Sequence, residues 1–87
     1  MLKENIVVKN PSGLHLRPAG LLCKEAMKFK ARITFGARGS FANAKSVLSV
    51  LGAGVKCGDE IELICEGEDE AAAMATIKAL IEGGLKE

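Results

Sequence analysis

The spacing of apolar residues changes repeatedly between the strand period and the helix period along this chain, and this constrains the fold more than any other feature. The segment Glu60–Glu66 alternates apolar and mostly acidic side chains, as a half-buried strand does. After Pro18, apolar residues at positions 19, 22, 26 and 29 share one face of a helix. Together the patterns predict the order β-α-β-β-α-β-α. Because no strand–helix unit repeats, they favour the α+β class, an open-faced sandwich in which a four-stranded antiparallel sheet carries three helices on one face.

Turn residues between these segments predict the boundaries of the elements. Strands are expected at Ile6–Lys9, Ala31–Phe35, Ser40–Asn43 and Glu60–Glu66, and the first helix at about Leu16–Lys28. Gly52 and Gly54 end a short second helix. The acidic residues at 68–70 begin a third helix with an apolar stripe, which ends at Gly83 and Gly84. The residues after Gly84 are expected to fray.

Length, charge and cysteine content narrow the class of protein. The 87 residues form one small domain, 1–87, and a net charge of +1 gives no electrostatic case for nucleic acid or a membrane surface as a partner. The sequence has no apolar signal region and no apolar run as long as a membrane span. Cys23, Cys57 and Cys65 show neither the paired spacing of a disulfide framework nor that of a zinc site. We therefore expect reduced thiols, a cytoplasmic location and no metal.

The segment Asn10–Pro18 is the strongest candidate for a functional site. It contains the only histidine, His15, between a cluster of turn residues and the start of the first helix. The free N–H groups at a helix start bind anions, phosphate above all, and the same field favours the neutral, nucleophilic imidazole. Arg17 adds a planar cation suited to phosphoryl oxygens. These residues fit a phosphoryl carrier, although a histidine at a helix start is more often a surface residue or a weak cap.

The second helix raises two alternatives. Ser46 is a suitable N-cap residue, and Val47, Leu48, Val50 and Leu51 follow it. Four large apolar residues exceed what one buried stripe needs on so short a helix, so some of them could form a contact surface. The stripe alone does not decide between such a surface and a fully buried set.

Two motifs resemble those of a known family. The segment Gly13–Ala19, GLHLRPA, resembles the phosphorylation-site motif of the histidine-containing phosphocarrier (HPr) family of the bacterial sugar phosphotransferase system. The segment Asn43–Ser46, NAKS, resembles the family's regulatory-serine segment, and the resemblance covers essentially the whole chain. Two positions depart from the family pattern: Leu16 replaces a small residue, and Gly20 replaces a residue that is often serine. Both lie beside the site, so they bear on partner preference rather than on phosphoryl chemistry.

The resemblance implies a phosphocarrier, not a stand-alone enzyme, that needs no cofactor. Enzyme I, charged by phosphoenolpyruvate, would phosphorylate His15 on Nδ1, Arg17 would stabilise the phosphoryl charge, and the group would pass to IIA domains of sugar permeases. The protein would be a monomer. The implied docking surface comprises Leu16, Gly20, Lys24, Val47, Leu48 and Leu51.

The resemblance also implies regulation at Ser46. In HPr proteins of low-GC Gram-positive bacteria this serine is phosphorylated, so an HPr kinase/phosphorylase and a catabolite-control transcription factor are expected as further partners. The phosphate would place about −1.5 to −2 charges in the apolar docking surface.

Two other classes of function are open to such a chain. The first is a regulatory protein that acts by protein–protein binding, either as a relative from a non-transport, nitrogen-type phosphotransferase system or as a module that binds partners and relays nothing. Family members of the latter kind lack the histidine, so His15 counts against it. A nucleic-acid-binding α+β domain would stack bases on exposed aromatic side chains beside a basic surface. The chain has no tryptophan or tyrosine, which makes this class a poor match.

Overall fold

The computed structural model describes all residues from 1 to 87, and its elements follow the predicted order. The strands are β1 (Leu2–Val7), β2 (Arg32–Ala37), β3 (Ser40–Asn43) and β4 (Glu60–Glu66). The helices are α1 (Leu16–Ala26), α2 (Val47–Gly52) and α3 (Glu70–Glu82). No helix is both long enough and apolar enough to cross a membrane.

The four strands form one antiparallel sheet in the order β1-β4-β2-β3. Strand β4 is central and pairs with both β1 and β2, with Leu63 opposite Glu4 on one side and opposite Phe35 on the other. The alternation that predicted a half-buried β4 is confirmed, because Ile61, Leu63 and Cys65 are buried. The predicted α+β open-faced sandwich with a four-stranded antiparallel sheet is therefore confirmed.

One face of the sheet and the inner faces of the helices enclose the core. In α1 the predicted stripe is buried at Ala19, Leu22 and Ala26, and Phe29 packs against the core just beyond the helix. In α3, Met74 is buried in addition to most of the predicted stripe. The largest fully buried apolar side chains are Phe35, Ile6, Leu22, Ile33, Ile61, Leu63, Ile77, Ile81, Val8 and Val50.

The predicted first strand is wrong at both of its ends. Strand β1 begins at Leu2, four positions before Ile6, and ends at Val7. Residues 2–5 lack the apolar alternation of a half-buried strand because the helix-facing side chain of Glu4 is charged and pairs with Lys78 of α3. The backbone pairing with β4 forms the strand there.

The expected fraying after Gly84 is also wrong. Leu85 is only 2% exposed and belongs to the core cluster. The side-chain carboxylate of Glu87 accepts hydrogen bonds from Asn10 Nδ2 at 2.8 Å and from Ser12 Oγ at 2.7 Å. Neither partner is near in the sequence, so no local pattern indicates that this segment is held in place.

Asp69 joins the start of α3 to the start of β2. Its carboxylate accepts the backbone N–H of Lys30 at 2.8 Å and that of Ala31 at 2.7 Å. These bonds, the one from Lys30 first, hold the pKa of Asp69 below its ordinary value of 3.8. Asp69 makes no side-chain bond to its own helix. Its role is therefore to tie two elements that are distant in the sequence.

We expect Asp69→Ala to lower the melting temperature at pH 7, because two backbone donors lose their acceptor. A carboxyl group whose folded-state pKa is depressed stabilises the protein above its unfolded pKa, and this contribution is lost as the pH falls through the folded pKa. The difference in melting temperature between the variant and the parent should therefore shrink below about pH 3.8. Thermal unfolding followed by circular dichroism from pH 7 to pH 2.5 measures it.

The matched control is Glu68→Ala, which removes an adjacent acidic side chain that is 72% exposed and contacts only Lys30 Nζ, at 3.2 Å. Such a surface ion pair contributes little to stability. An equal loss of melting temperature in both variants at pH 7 would show that the two backbone bonds of Asp69 contribute nothing specific.

Candidate functional site

His15 is the N-cap residue of α1. Its backbone is extended, with φ −84° and ψ −175°, and its carbonyl oxygen accepts the N–H of Ala19 at 2.8 Å. The imidazole makes no capping hydrogen bond, and the residue is exposed. The side chain at the start of the helix is therefore accessible from solvent and not committed to a structural role.

The first turn of α1 offers donors for an anion. The backbone N–H groups of Leu16 and Arg17 have no acceptor within the chain, as expected for the first residues of a helix. Pro18 is buried and has no N–H to leave unsatisfied. The Arg17 side chain is exposed and takes part in no ion pair or hydrogen bond. Arginine pairs readily with phosphoryl oxygens, so this turn combines a charged and two neutral donors.

The loop that precedes His15 has a fixed shape. Asn10 is 2% exposed, its Nδ2 donates to the Gly13 carbonyl at 2.7 Å, and the Gly13 N–H donates back to the Asn10 carbonyl at 3.0 Å. Gly13 has φ +64°, and a side chain there would lie 2.6 Å from the Val55 carbonyl oxygen. Only glycine fits this position. The predicted turn cluster is therefore a rigid support for His15.

A shallow depression lies beside His15. It is lined by Ser12, Leu14, His15, Leu51, Gly54, Val55 and Lys56, so it joins the turn before α1 to the end of α2 and the loop that follows. Arg17 does not line it. Arg17 lines a second depression with Pro18, Leu21 and the segment 85–87. The structure therefore places the two predicted site residues on one helical turn but beside different surface depressions.

Glu87 lies next to the site through hydrogen bonds from Asn10 and Ser12, which belong to the predicted site segment but have no predicted role of their own. Hydrogen bonds from the Ser12 hydroxyl and then from the Asn10 amide lower the pKa of Glu87, and the charge of Arg17 acts in the same direction. The sequence marks residues 10–13 as turn formers, which is the only signal that could have found two of them. Nothing in the sequence connects them to position 87.

The expected docking residues lie on two neighbouring helices, α1 and α2, which pack together. Leu48 is 82% exposed and Leu16 is 62% exposed, whereas Val50 is fully buried. Val47 and Leu51 are half-buried and pack against the core. The two alternatives for α2 are thus resolved residue by residue: one of its apolar side chains is core, one is free, and two lie between.

The two other residues of the expected docking surface, Gly20 and Lys24, lie on α1. A Cβ atom added at Gly20 would meet no atom within 4 Å, so a larger side chain would fit there without a clash. Lys24 is exposed near the end of the helix. Cys23, on the same helix, donates from Sγ to the Lys45 carbonyl at 3.0 Å and so joins α1 to the segment that leads into α2.

Ser46 caps α2, as its sequence context predicts. Its backbone is extended, with φ −121° and ψ 116°, and its Oγ accepts the backbone N–H of Ser49 at 3.2 Å. Ser49 Oγ in turn accepts the N–H of Asn43 at 2.8 Å, which fixes the cap against the end of β3. The hydroxyl group of Ser46 is half-exposed at the start of a helix that carries the exposed Leu48.

The three cysteines are not part of any cluster of potential metal ligands. Cys23, Cys57 and Cys65 are all free thiols, and burial is the main cause that raises the pKa of Cys65. No three side chains of histidine, cysteine, aspartate or glutamate come together in a metal-binding cluster.

Known proteins resemble this chain in sequence and in structure. The chain is 40% identical over 83 residues to the phosphocarrier protein HPr of Mycoplasma genitalium, covering 94% of each chain. It is 38% identical over 82 residues to the HPr-like protein Crh of Halalkalibacterium halodurans, covering 94% of this chain and 98% of that one. A crystal structure of HPr from Thermoanaerobacter tengcongensis superposes with a TM-score of 0.96 at 37% identity, over 100% of this chain and 98% of the other.

The family model for the phosphorylation site of the HPr component of the phosphotransferase system matches residues 2–83, which is nearly the whole chain. That range includes the loop before α1, the capping His15, and helices α1 and α2. From this match and these relatives, we conclude that the chain belongs to the HPr family of phosphocarrier proteins of the phosphotransferase system.

Proposed function

We propose that this protein relays a phosphoryl group on His15, accepting it from Enzyme I and passing it to IIA domains of sugar permeases. The observation that carries the proposal is the geometry of His15: an exposed imidazole with no structural hydrogen bond, at a helix start whose first two N–H groups have no acceptor. The unpaired Arg17 on the same turn supports it. The protein acts as a carrier and not as a stand-alone catalyst, in the cytoplasm and without a cofactor.

The chemistry is the transfer of a phosphoryl group from a phosphorylated donor to a nitrogen of His15 and from there to the next acceptor. The lone pair of His15 Nδ1 attacks the phosphorus of the phosphorylated donor, the new N–P bond forms, and the bond from phosphorus to the donor breaks with its electron pair going to the donor. The reverse exchange at a IIA domain restores the free imidazole. Charge on the transferring oxygens is stabilised by the N–H groups of Leu16 and Arg17 and by the Arg17 guanidinium, which are the electrostatic devices of phosphoryl transfer.

The partner surface consists of the exposed faces of α1 and α2 around His15. Leu16 and Leu48 provide apolar area that nothing in the chain covers, and the half-buried Val47 and Leu51 extend it towards the core. Gly20 and Lys24 lie on the same helix as His15 and complete the surface. Exposed apolar area of this kind marks an interaction site, and both partners would use it in turn because both must reach His15.

Phosphorylation of Ser46 regulates the same surface. The serine lies at a helix start, where added negative charge is tolerated by the helix, so the fold need not change. The phosphate would act on docking, since it places about −1.5 to −2 charges beside Leu48 in a surface that an incoming partner must desolvate. An HPr kinase/phosphorylase would add and remove the group, and a catabolite-control transcription factor would read it.

A regulatory relative that binds partners without relaying phosphoryl groups is the second candidate, and the similarity to the HPr-like protein Crh is the observation that raises a regulatory role. The presence of His15 in this chain counts against it. The two candidates differ in one measurable property, because only a carrier accepts a phosphoryl group from Enzyme I.

Incubation with Enzyme I and phosphoenolpyruvate should add one phosphoryl group to the protein. The adduct should be labile in acid and stable in base, because a phosphohistidine carries its phosphorus on nitrogen. Intact-mass spectrometry before and after acid treatment measures both properties. His15→Ala should abolish the adduct and leave the circular-dichroism spectrum unchanged, since the side chain makes no structural contact. An acid-stable adduct, or no adduct with an active Enzyme I, would refute the relay.

Leu48→Asp should raise the KM of Enzyme I for this protein by roughly tenfold or more, because the partner would bury a charge in place of a leucine, a loss of about 1.5–3 kcal/mol. The melting temperature should change little, since Leu48 is 82% exposed. Phe41→Asp is the matched control, as Phe41 is 69% exposed and lies on β3, away from both helices. Equal KM values for the two variants would remove Leu48 from the docking surface.

Ser46→Asp should fold normally, because aspartate also caps helices, yet should accept phosphoryl groups from Enzyme I at least about fivefold more slowly through like-charge repulsion. Ser46→Ala should transfer at the parental rate and lose about 0.5–2 kcal/mol of stability with the cap. Stopped-flow transfer assays and chemical denaturation separate the two effects. If Ser46→Asp transfers at the parental rate, the serine has only its capping role.

A further inference from the structure

The loop of residues 54–59 lies against the turn before α1, next to His15. Gly54, Val55 and Lys56 line the depression beside the imidazole. The Val55 carbonyl accepts the N–H of Leu14 at 3.0 Å, directly before His15 in the sequence. The position of the phosphoryl acceptor therefore depends on where this loop lies.

Arg38 contacts this loop at two points from the β2–β3 hairpin. Its Nη1 donates to the Gly54 carbonyl at 3.1 Å, and its Nη2 contacts Asp59 Oδ2 at 2.6 Å. These acceptors lie at the first and last residues of the loop. One planar guanidinium thus bridges both of its ends, which the single ammonium of a lysine cannot do in the same way.

Asp59 extends the contact of Arg38 into the loop backbone. Its Oδ2 also accepts the N–H of Lys56 at 2.9 Å, and its carbonyl accepts the N–H of Val8 at 2.8 Å. Gly58 N–H donates to the Val8 carbonyl at 2.7 Å, which ties the loop to the chain just beyond β1. The loop is therefore held by β1 on one side and by the hairpin on the other, and only Arg38 joins its two ends.

The backbone of Arg38 is in a conformation that arginine rarely adopts. Its φ is +52°, in the left-handed region where glycine and asparagine are favoured. The side chain is 58% exposed, so burial does not offset the backbone strain. The paired contact with Gly54 and Asp59 is the one interaction of this side chain that an asparagine or glycine would lose.

We propose that Arg38 is a positioning residue for phosphoryl transfer, because its guanidinium holds the 54–59 loop against Leu14 and so fixes the place of His15. This inference rests on the proposed relay through His15. Arg38 touches neither His15 nor the helical docking surface, so it acts only through the loop.

The size of the interaction determines where its loss will be seen. An exposed ion pair contributes little to global stability, so removing Arg38 should leave the melting temperature nearly unchanged. Local opening of a loop requires far less energy than global unfolding, so the same loss changes its population directly. The effect should therefore appear in the exchange of loop amides and in the transfer rate.

The decisive variant is Arg38→Asn, which removes the bridging contact and relaxes the backbone strain at the same position. Hydrogen exchange at the Leu14 amide, measured by NMR on the free protein, should become about two- to fivefold faster. The kcat for phosphoryl transfer from Enzyme I should fall by a similar factor while KM stays unchanged. A protein that is merely less stable would show the opposite split, because unfolding lowers the concentration of competent substrate and so raises KM.

Arg32→Asn is the matched control. It makes the same change of residue and charge at an arginine of β2 whose side chain takes part in no hydrogen bond or ion pair. Both its Leu14 exchange and its transfer kinetics should equal those of the parent. Arg38→Lys should restore part of the kcat, since an ammonium can reach one of the two acceptors.

Three other outcomes would each contradict one step of the proposal. Unchanged Leu14 exchange in Arg38→Asn would show that the loop does not need the arginine. Faster exchange with a parental kcat would show that the loop does not position His15. A parent protein that accepts no phosphoryl group would refute the relay itself, and with it the positioning role. The exchange and mass measurements therefore separate failure of this inference from failure of the proposed function.

Discussion

The close approach of two backbone segments organises this molecule. The Gly13 backbone lies so near Val55 and Lys56 that a Cβ atom at position 13 would be 2.6 Å from the Val55 carbonyl oxygen. This contact is possible because position 13 has no side chain and φ is +64°. It joins the turn before α1 to the loop after α2. The capping histidine, the start of the first helix and the end of the second are thereby brought to one place on the surface.

Stability depends on the core between the sheet and the helices, whereas the candidate functional site lies on the outer faces of α1 and α2. One face of β4 and its neighbours is covered by apolar side chains, and the core extends to Leu14 and Val55 beside His15. The outer faces of α1 and α2 are left with exposed leucines at positions 16 and 48. The candidate site therefore lies on a surface whose exposed side chains are not needed to fill the core. The backbone beneath it is held by caps, turns and close contacts at Asn10, Gly13 and Ser46.

Local physics explains which parts of the fold could be predicted. The central strand, the short hairpin and the stripes of α1 and α3 follow from periodicity and turn residues, and the cap of α2 follows from the preference of serine for that position. Strand β1 was placed wrongly because its first residues are polar and gain their structure only by pairing with β4. The sequence predicts fraying after Gly84 because the groups that donate hydrogen bonds to the Glu87 carboxylate lie more than seventy residues away.

The chemistry of the candidate site is already evident from the amino-acid sequence. A single histidine and an arginine at the start of a helix, with a serine at the start of another, are local features that composition and spacing reveal. The contacts of the folded chain establish which apolar side chains of α2 are exposed, that Arg17 and His15 lie beside different depressions, and that Asn10, Ser12 and Glu87 are joined by hydrogen bonds next to the site. The physical reason is that these properties arise from contacts between residues far apart in the chain, whereas residue type and periodicity report only what neighbours in sequence do.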